Sequence, residues 1–475
     1  RGFPVDAIRA ALVISNDQMC IPPMARAEVL RIADDVAARY APGVLPQSAS
    51  WPEPLRQEAF RGIAGKFVEA LLPYSEADPV ALLLSFLSAF GSVVGPHPYD
   101  AIGSDRHGAR IWPVFVGETA AGRKGTSLAP VVELFDQVDP TWSPRRKGGI
   151  GSGEVVIFEV RDPVREDSGD GKIVTKDPGV EDKRLFIAES EFVGLLTVNG
   201  RDGSILSPVL RAAWDGGTLQ QTVKHSPARA TDAHITVLGH ITPDELRKGL
   251  KAVEKANGFA NRFIFAMVRR SKLLPRAGAL PPGLLEDFVE PLARLVDKAR
   301  TCRLVKPTET FWQVYEPQYE RLSSPPPGLA GSTLARGAPY VRRLALVYAL
   351  LDGESLMYAD HAKAALAVWD YCEASTRSLF EGRMGIADDD KLLEALRRAP
   401  GGMTRTAIRD LFGKHRDAVE IGAMRDRLVD AERIIVESEA TGGASAERWR
   451  LRQGVEGASV ASVALSNASQ GEVPS

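Results

Sequence analysis

The chain has 475 residues, 44% of them hydrophobic and 25% charged, with a formal net charge of −2. This is the composition of an ordinary globular protein, long enough for two to four domains with their own cores. The near-neutral balance excludes a nucleic-acid partner held by bulk charge, so any basic surface must be local. Cys20, Cys302 and Cys372 lie far apart with no C-x-x-C spacing. They suit a reducing cytoplasm better than a disulfide framework, and they cannot form a zinc site among themselves. No apolar run approaches the roughly 18–20 residues of a membrane span, and no signal peptide is visible, so no membrane partner is expected. The first residue is Arg1 rather than methionine, which points to a piece of a longer polypeptide.

In chain order, residues 1–43 read as two short helices, "VDAIRAALVISND" and "RAEVLRIADDVAARY", separated by the breaker Pro22-Pro23. Residues 44–55 fall in a proline- and serine-rich linker. Residues 56–300 read as an α/β core with a helical preface, in which "ALLLSFLSAFGSVVG" is dense enough to be a buried helix. The β-rich runs 111–116, 155–160, 184–188, 234–239 and 262–268 alternate with polar or helical segments and predict a largely parallel sheet. The charged, glycine-rich insertion "REDSGDGKIVTKDPGVEDKR" predicts an exposed hairpin. Residues 301–385 read as a helical extension. Residues 388–452 follow a helix–helix–helix–hairpin pattern, that of a winged helix, with Thr404 as an N-cap. The Ser-, Ala- and Gly-rich tail 453–475 has the composition of a disordered segment.

The stretch that carries chemistry is "VFVGETAAGRKGTS", residues 114–127. An apolar strand enters a loop built from Gly117, Glu118, Thr119, Ala120, Ala121, Gly122, Arg123, Lys124, Gly125, Thr126 and Ser127, and a helix follows. A phosphate loop needs these parts: glycines that turn amide N–H groups toward phosphate, a lysine for the β/γ charge, and a hydroxyl for Mg2+. The spacing departs from G-x-x-x-x-G-K-[ST], because Arg123 precedes the lysine and Gly125 separates it from Thr126. Lys124 is the first choice for the phosphates and Arg123 the alternative, the lysine stem being long enough to absorb the shift. The bland reading is a plain strand–turn–helix.

"RLFIAESEF" supplies downstream carboxylates at a strand end, Glu189 and Glu191, for the metal and for the attacking water. "HITVLGHIT" ends in His240 and Thr242, where a polar group can sense a terminal phosphate. Arg262, ahead of Arg269 and Arg270, is the first candidate for an arginine acting from a neighbouring subunit, with Arg342 and Arg343 weaker. Arg201, Lys224, His225 and Arg229 are isolated cations on glycine-rich loops, suited to tracking a phosphate backbone. Each also has an ordinary reading as loop charge, a salt-bridged arginine or a structural histidine.

The blocks "WPEPL", "GETAAGRKGTS", "SGE", "AESEF", "AAWDG", "GHIT", "GFANRF" and "VRRLALVYALLDG" occur in that order. Together they resemble the helicase half of primase–helicase fusion replication proteins of phages, plasmids and integrated elements, over roughly residues 10–452. The resemblance implies a RecA-like P-loop core, ATP with Mg2+, hexamer-type assembly and translocation on single-stranded or forked DNA. It places Lys124 and Thr126 on the nucleotide, and a primase-polymerase domain upstream of Arg1. A rival reading is a DNA-binding initiator that uses bound nucleotide as a structural switch. A small-molecule kinase is a third.

Overall fold

Four apolar runs and one short charged run become neighbouring strands of a single parallel sheet in the computed structural model. The structure describes residues 12–13, 16, 24–31, 51–118, 124–167, 173–221, 228–253, 258–275, 280–326, 328–380, 387–413, 415–430, 433–439 and 446–452. The strands are β1 (Pro113–Val116), β2 (Arg146–Lys147), β3 (Arg184–Glu189), β4 (His234–Ile241) and β5 (Ile264–Met267). Across the sheet they run β5-β1-β4-β3-β2, every neighbouring pair parallel. The register sets Val114, Gly239 and Glu189 level with one another. β1 and β4 are buried along their whole length, as expected of strands covered on both faces.

The helices around the sheet are α1 (Pro79–Val94), α2 (Ala129–Val138), α3 (Gly153–Glu159), α4 (Phe192–Asn199), α5 (Leu206–Asp215), α6 (Pro243–Val253), α7 (Glu286–Thr301), α8 (Gly337–Leu351) and α9 (Ala359–Phe380). α1 shows why the local sequence suffices. The Asp78 carboxylate accepts from Val80 N at 2.9 Å, Pro79 opens the first turn, and Gly95, with φ of 85°, ends the helix. Between the caps, residues 80–94 are all buried, and α1 lies across β1, β4 and β3 with α2 and α7 beside it. The connection from β1 to β2 runs one way along the sheet, and those from β2 through β5 run the other. Right-handed crossovers therefore place α2 on one face and α3, α4 and α6 on the opposite one.

One expected strand is a helix. Residues 155–160 lie in and just beyond α3, which Ser152 caps through Val155 N and which carries Glu154 in its first turn. Val156 and Ile157 are buried, whereas Val155 and Phe158 are exposed, a helical face rather than a buried strand. The sheet takes β2 as its fifth strand instead. The charged insertion forms the exposed antiparallel pair Val164–Asp167 and Ile173–Asp177.

The C-terminal part has its own core, including Leu392, Ile408, Ile421, Leu428 and Trp449. Three helices (Ala387–Arg398, Arg405–Leu411, Ala418–Asp430) accompany a three-stranded antiparallel sheet. Thr404 caps the second of these helices by accepting from Ala407 N at 3.2 Å. Most of 1–43 and all of 453–475 lie outside the described residues. No helix among the described residues is long and apolar enough to cross a membrane.

Candidate functional site

β1 and β4 are adjacent, yet the chain leaves them toward opposite faces. Their carboxyl ends therefore flank the crevice where ligands of open α/β sheets bind. Gly117 leaves β1 at this point. Its N–H donates to Ile241 O at 3.1 Å, and a Cβ there would stand 2.3 Å from Val268 O. Only glycine lets the chain pass between the ends of β4 and β5. Glu118 is exposed, and Thr119, Ala120, Ala121, Gly122 and Arg123 lie outside the described residues. The chain is next described as a 3-10 turn, Lys124–Ser127, whose Lys124 side chain is likewise outside them. Thr126 is exposed, Ser127 is buried, and α2 follows. The strand, the turn and the helix are thus in place around the loop.

Glu189 ends β3 at the same edge, two strands from β1, or about 10 Å at ordinary strand spacing. It is 6% exposed, and its carboxylate accepts from Gly149 N at 3.2 Å and Ile150 N at 3.0 Å. The loop "GGIGSG" supplies those amides because a Cβ at Gly148 would meet Ala188 O at 2.7 Å and Gly149 has φ of 68°. Nothing in the sequence signals this loop's grip on Glu189. Glu191 is exposed at the entrance to α4. The two carboxylates therefore differ in kind: one is fixed by backbone amides, the other faces solvent.

His240 is buried at the end of β4, its ring 5.4 Å from that of Phe115 on β1. Thr242 is committed elsewhere. It accepts from Glu245 N at 3.3 Å while Glu245 accepts from Thr242 N at 3.1 Å, a reciprocal cap on α6. Among the described residues no group of three His, Cys, Asp or Glu could hold a metal alone. Mg2+ at phosphates needs no such cage, since it takes one or two protein oxygens with phosphate oxygens and water. Thr126, an exposed residue, and the fixed Glu189 carboxylate carry oxygens of that kind.

Of the backbone-tracking candidates, Arg201 is exposed in the turn after α4, and Arg229 is exposed on the strand Ala228–Ala230. That strand pairs with Leu219–Gln221, and the Lys224 and His225 between them lie outside the described residues. Gln221 Nε2 donates to Glu154 at 3.0 Å, which sets this hairpin beside the first turn of α3, just past the loop that holds Glu189.

Arg262 is not brought to this edge. It precedes β5, on the amino-terminal side of the sheet, and is 7% exposed. Its guanidinium donates to Gly258 O at 2.7 Å and to Asp215 at 3.0 Å, so it is committed within its own chain. Asp215, which sequence reasoning did not single out, is signalled only by the block "AAWDG". Arg342 pairs with Asp100, and Arg343 is fully buried.

No protein-family model matches this chain, and no curated protein matches it at a significant level.

Proposed function

We propose that the chain is a Mg2+-dependent NTPase of RecA-like type that drives movement on single-stranded or forked DNA during replication of a mobile element. The observation that carries the reading is the exit of Gly117 at the crevice between β1 and β4, with Glu189 at the same edge beyond the intervening β4. Triphosphate would lie along residues 117–127, with Lys124 against the β/γ-phosphates. Thr126 and Glu189 are the residues that would hold Mg2+, which supplies charge neutralisation at the transferring phosphoryl group. Glu191, exposed to solvent, is the better placed of the two carboxylates to orient water. His240, near the end of β4 and beside Phe115 of β1, would respond to the terminal phosphate. Lys224, His225, Arg229 and Arg201 would meet the DNA backbone, and the subunits would assemble as a ring. The C-terminal helices and antiparallel sheet fit a winged helix, whose partner is DNA or protein.

One observation favours the nucleotide-switch reading. Both Glu189 oxygens are engaged by backbone amides, an arrangement that can hold a loop in place without turnover. ATP turnover with and without single-stranded DNA, in the native chain and in Lys124→Ala, separates the two. The motor reading expects DNA-stimulated hydrolysis that falls at least a hundredfold in the variant. ATP binding with turnover equal in both chains leaves the switch.

A further inference from the structure

We propose that the amino-terminal edge of the sheet carries a second anion site, distinct from residues 117–127 and built to take a phosphate group. It lies where Arg110, at the end of the antiparallel pair Tyr99–Ile102 and Asp105–Gly108, meets α5, the segment around Arg262 and α8.

Its centre is Trp214, fully buried on α5. The Arg343 guanidinium stands over the indole at 3.5 Å from the ring centre, Arg336 at 4.8 Å and Arg262 at 5.8 Å. Asp215, the next residue, pairs with Arg262 at 3.0 Å and with Arg336 at 3.2 Å. Arg343, 0% exposed, donates to Trp214 O at 2.8 Å, lies 3.3 Å from His107 Nδ1, and makes no ion pair among the described residues. Arg110, 5% exposed, makes neither an ion pair nor a side-chain hydrogen bond among the described residues. Arg110 Nε, Arg262 Nε and Arg343 Nη1 are all buried donors without an acceptor among the described residues.

Four guanidinium groups thus face one carboxylate, with exposed Asp105 the next acidic group to influence Arg336. The other titratable neighbours, Tyr340, His234 and His107, bring no negative charge to offset the surplus. Burial, then the charges of Arg343, Arg110, Arg342 and Arg336, push His107 down to about 3, so it stays neutral and adds no negative charge. Burial likewise lowers Arg110 to about 10, partly opposed by Asp215. An aromatic face attracts cations but accepts none of their in-plane N–H groups. Buried polar groups are otherwise nearly always paired, and an uncompensated buried charge is strongly destabilising.

Arginine forks match carboxylate and phosphate alike. The surplus exceeds one charge, and a phosphate monoester brings nearly two with three acceptor oxygens, so it fits better than a carboxylate. One side of the cluster reaches the surface. Gly216 and Gly217 are exposed and Arg336 is half-buried. Gly216 has φ of 80°, and a Cβ there would stand 2.7 Å from Arg110 Nη2, so a side chain would both strain the turn and cover the guanidinium. The stretches "AAWDG", "GFANRF" and "VRRLALVYALLDG" supply Trp214, Asp215, Gly216, Arg262 and Arg343, and the fold gathers all of them here, away from the proposed triphosphate.

The phosphate can come from a nucleic-acid strand or from a small phosphorylated ligand. Calorimetric titration and thermal unfolding of the full chain test the site, using inorganic phosphate, pyrophosphate, and oligonucleotides with and without a 5′-phosphate, at constant ionic strength in chloride. Beside any Lys124-dependent event at residues 117–127, one saturable binding event and its rise in Tm are expected to persist in Lys124→Ala, and that event to weaken at least tenfold in Arg110→Gln. Asp215→Asn, which removes the competing carboxylate, is expected to bind several-fold more tightly, and it keeps the test open if Arg110→Gln does not fold. An oligonucleotide lacking the terminal phosphate that still competes identifies the backbone as the source. Competition by pyrophosphate alone identifies a small ligand. Binding lost in Lys124→Ala but kept in Arg110→Gln, or no saturable binding by any probe, overturns the proposal. The triphosphate reading is untouched by that failure, because it is read from Lys124 and hydrolysis.

Discussion

The two edges of the sheet handle charge in opposite ways. At the carboxyl-terminal edge the Glu189 carboxylate is buried but matched, its oxygens taken by Gly149 N and Ile150 N. At the amino-terminal edge Arg110 and Arg343 are buried without a carboxylate partner among the described residues. A buried charge that the chain itself satisfies reads as scaffolding. One that the chain leaves unmatched reads as a place prepared for something else.

That contrast can be broken by substitution. The largest effect is expected at Gly117, where any Cβ meets Val268 O: Gly117→Ala should lose about 3 kcal/mol or more of stability, measured by denaturant unfolding. A near-neutral result would mean the loop does not pass between β4 and β5 as described. Next, Glu189→Ala and Arg110→Met should move stability in opposite directions. The first leaves two amides without an acceptor and should destabilise by about 2 kcal/mol. The second replaces an unmatched buried cation with an apolar chain of similar length and should stabilise by about 1 kcal/mol or more in phosphate-free buffer. If both destabilise equally, Arg110 is an ordinary structural cation.

Acidification sharpens the same comparison. His107 and His234 both sit near the unmatched arginines, and burial, reinforced by those charges, lowers both. The unfolded chain therefore takes up the proton first. Their contribution is complete above about pH 6.5 and is lost as pH falls toward the folded value of His107, about 3, at up to about 1.4 kcal/mol per pH unit for each histidine. Tm should fall between pH 7.5 and 5, and His234→Gln should flatten the slope. A Tm that rises over that range contradicts the assignment. The smallest effect is expected at Phe158, 56% exposed on α3: Phe158→Ser should change stability by no more than about 0.5 kcal/mol, whereas a buried strand residue would cost several times that.

Much of the α/β core was legible because parallel strands covered on both faces are continuous apolar runs, as in 113–116, 184–189 and 234–241. The run "VVIFEV" misled for the same reason. Its β-branched and aromatic residues suit a strand, but Ser152 caps it as a helix and only Val156, Ile157 and Val160 are buried. β2, two charged residues long, carries no periodic signal. At the candidate site, Gly117 and Glu189 were readable as a glycine after one strand and an acid after another. The cluster around Trp214 was not, because Arg110, Trp214 and Arg343 lie far apart in sequence and meet only when the chain folds. The same distance in chain hid the commitment of Arg262 to Asp215.

The central claim is that the turn from Gly117 to Ser127 holds a triphosphate. Equilibrium titration of the native chain and of Lys124→Ala with a fluorescent ATP analogue and Mg2+ tests it most directly. The account expects saturable binding that competes with ATP and weakens at least tenfold in the variant. Equal affinity in the two chains, or no saturable binding in either, contradicts it.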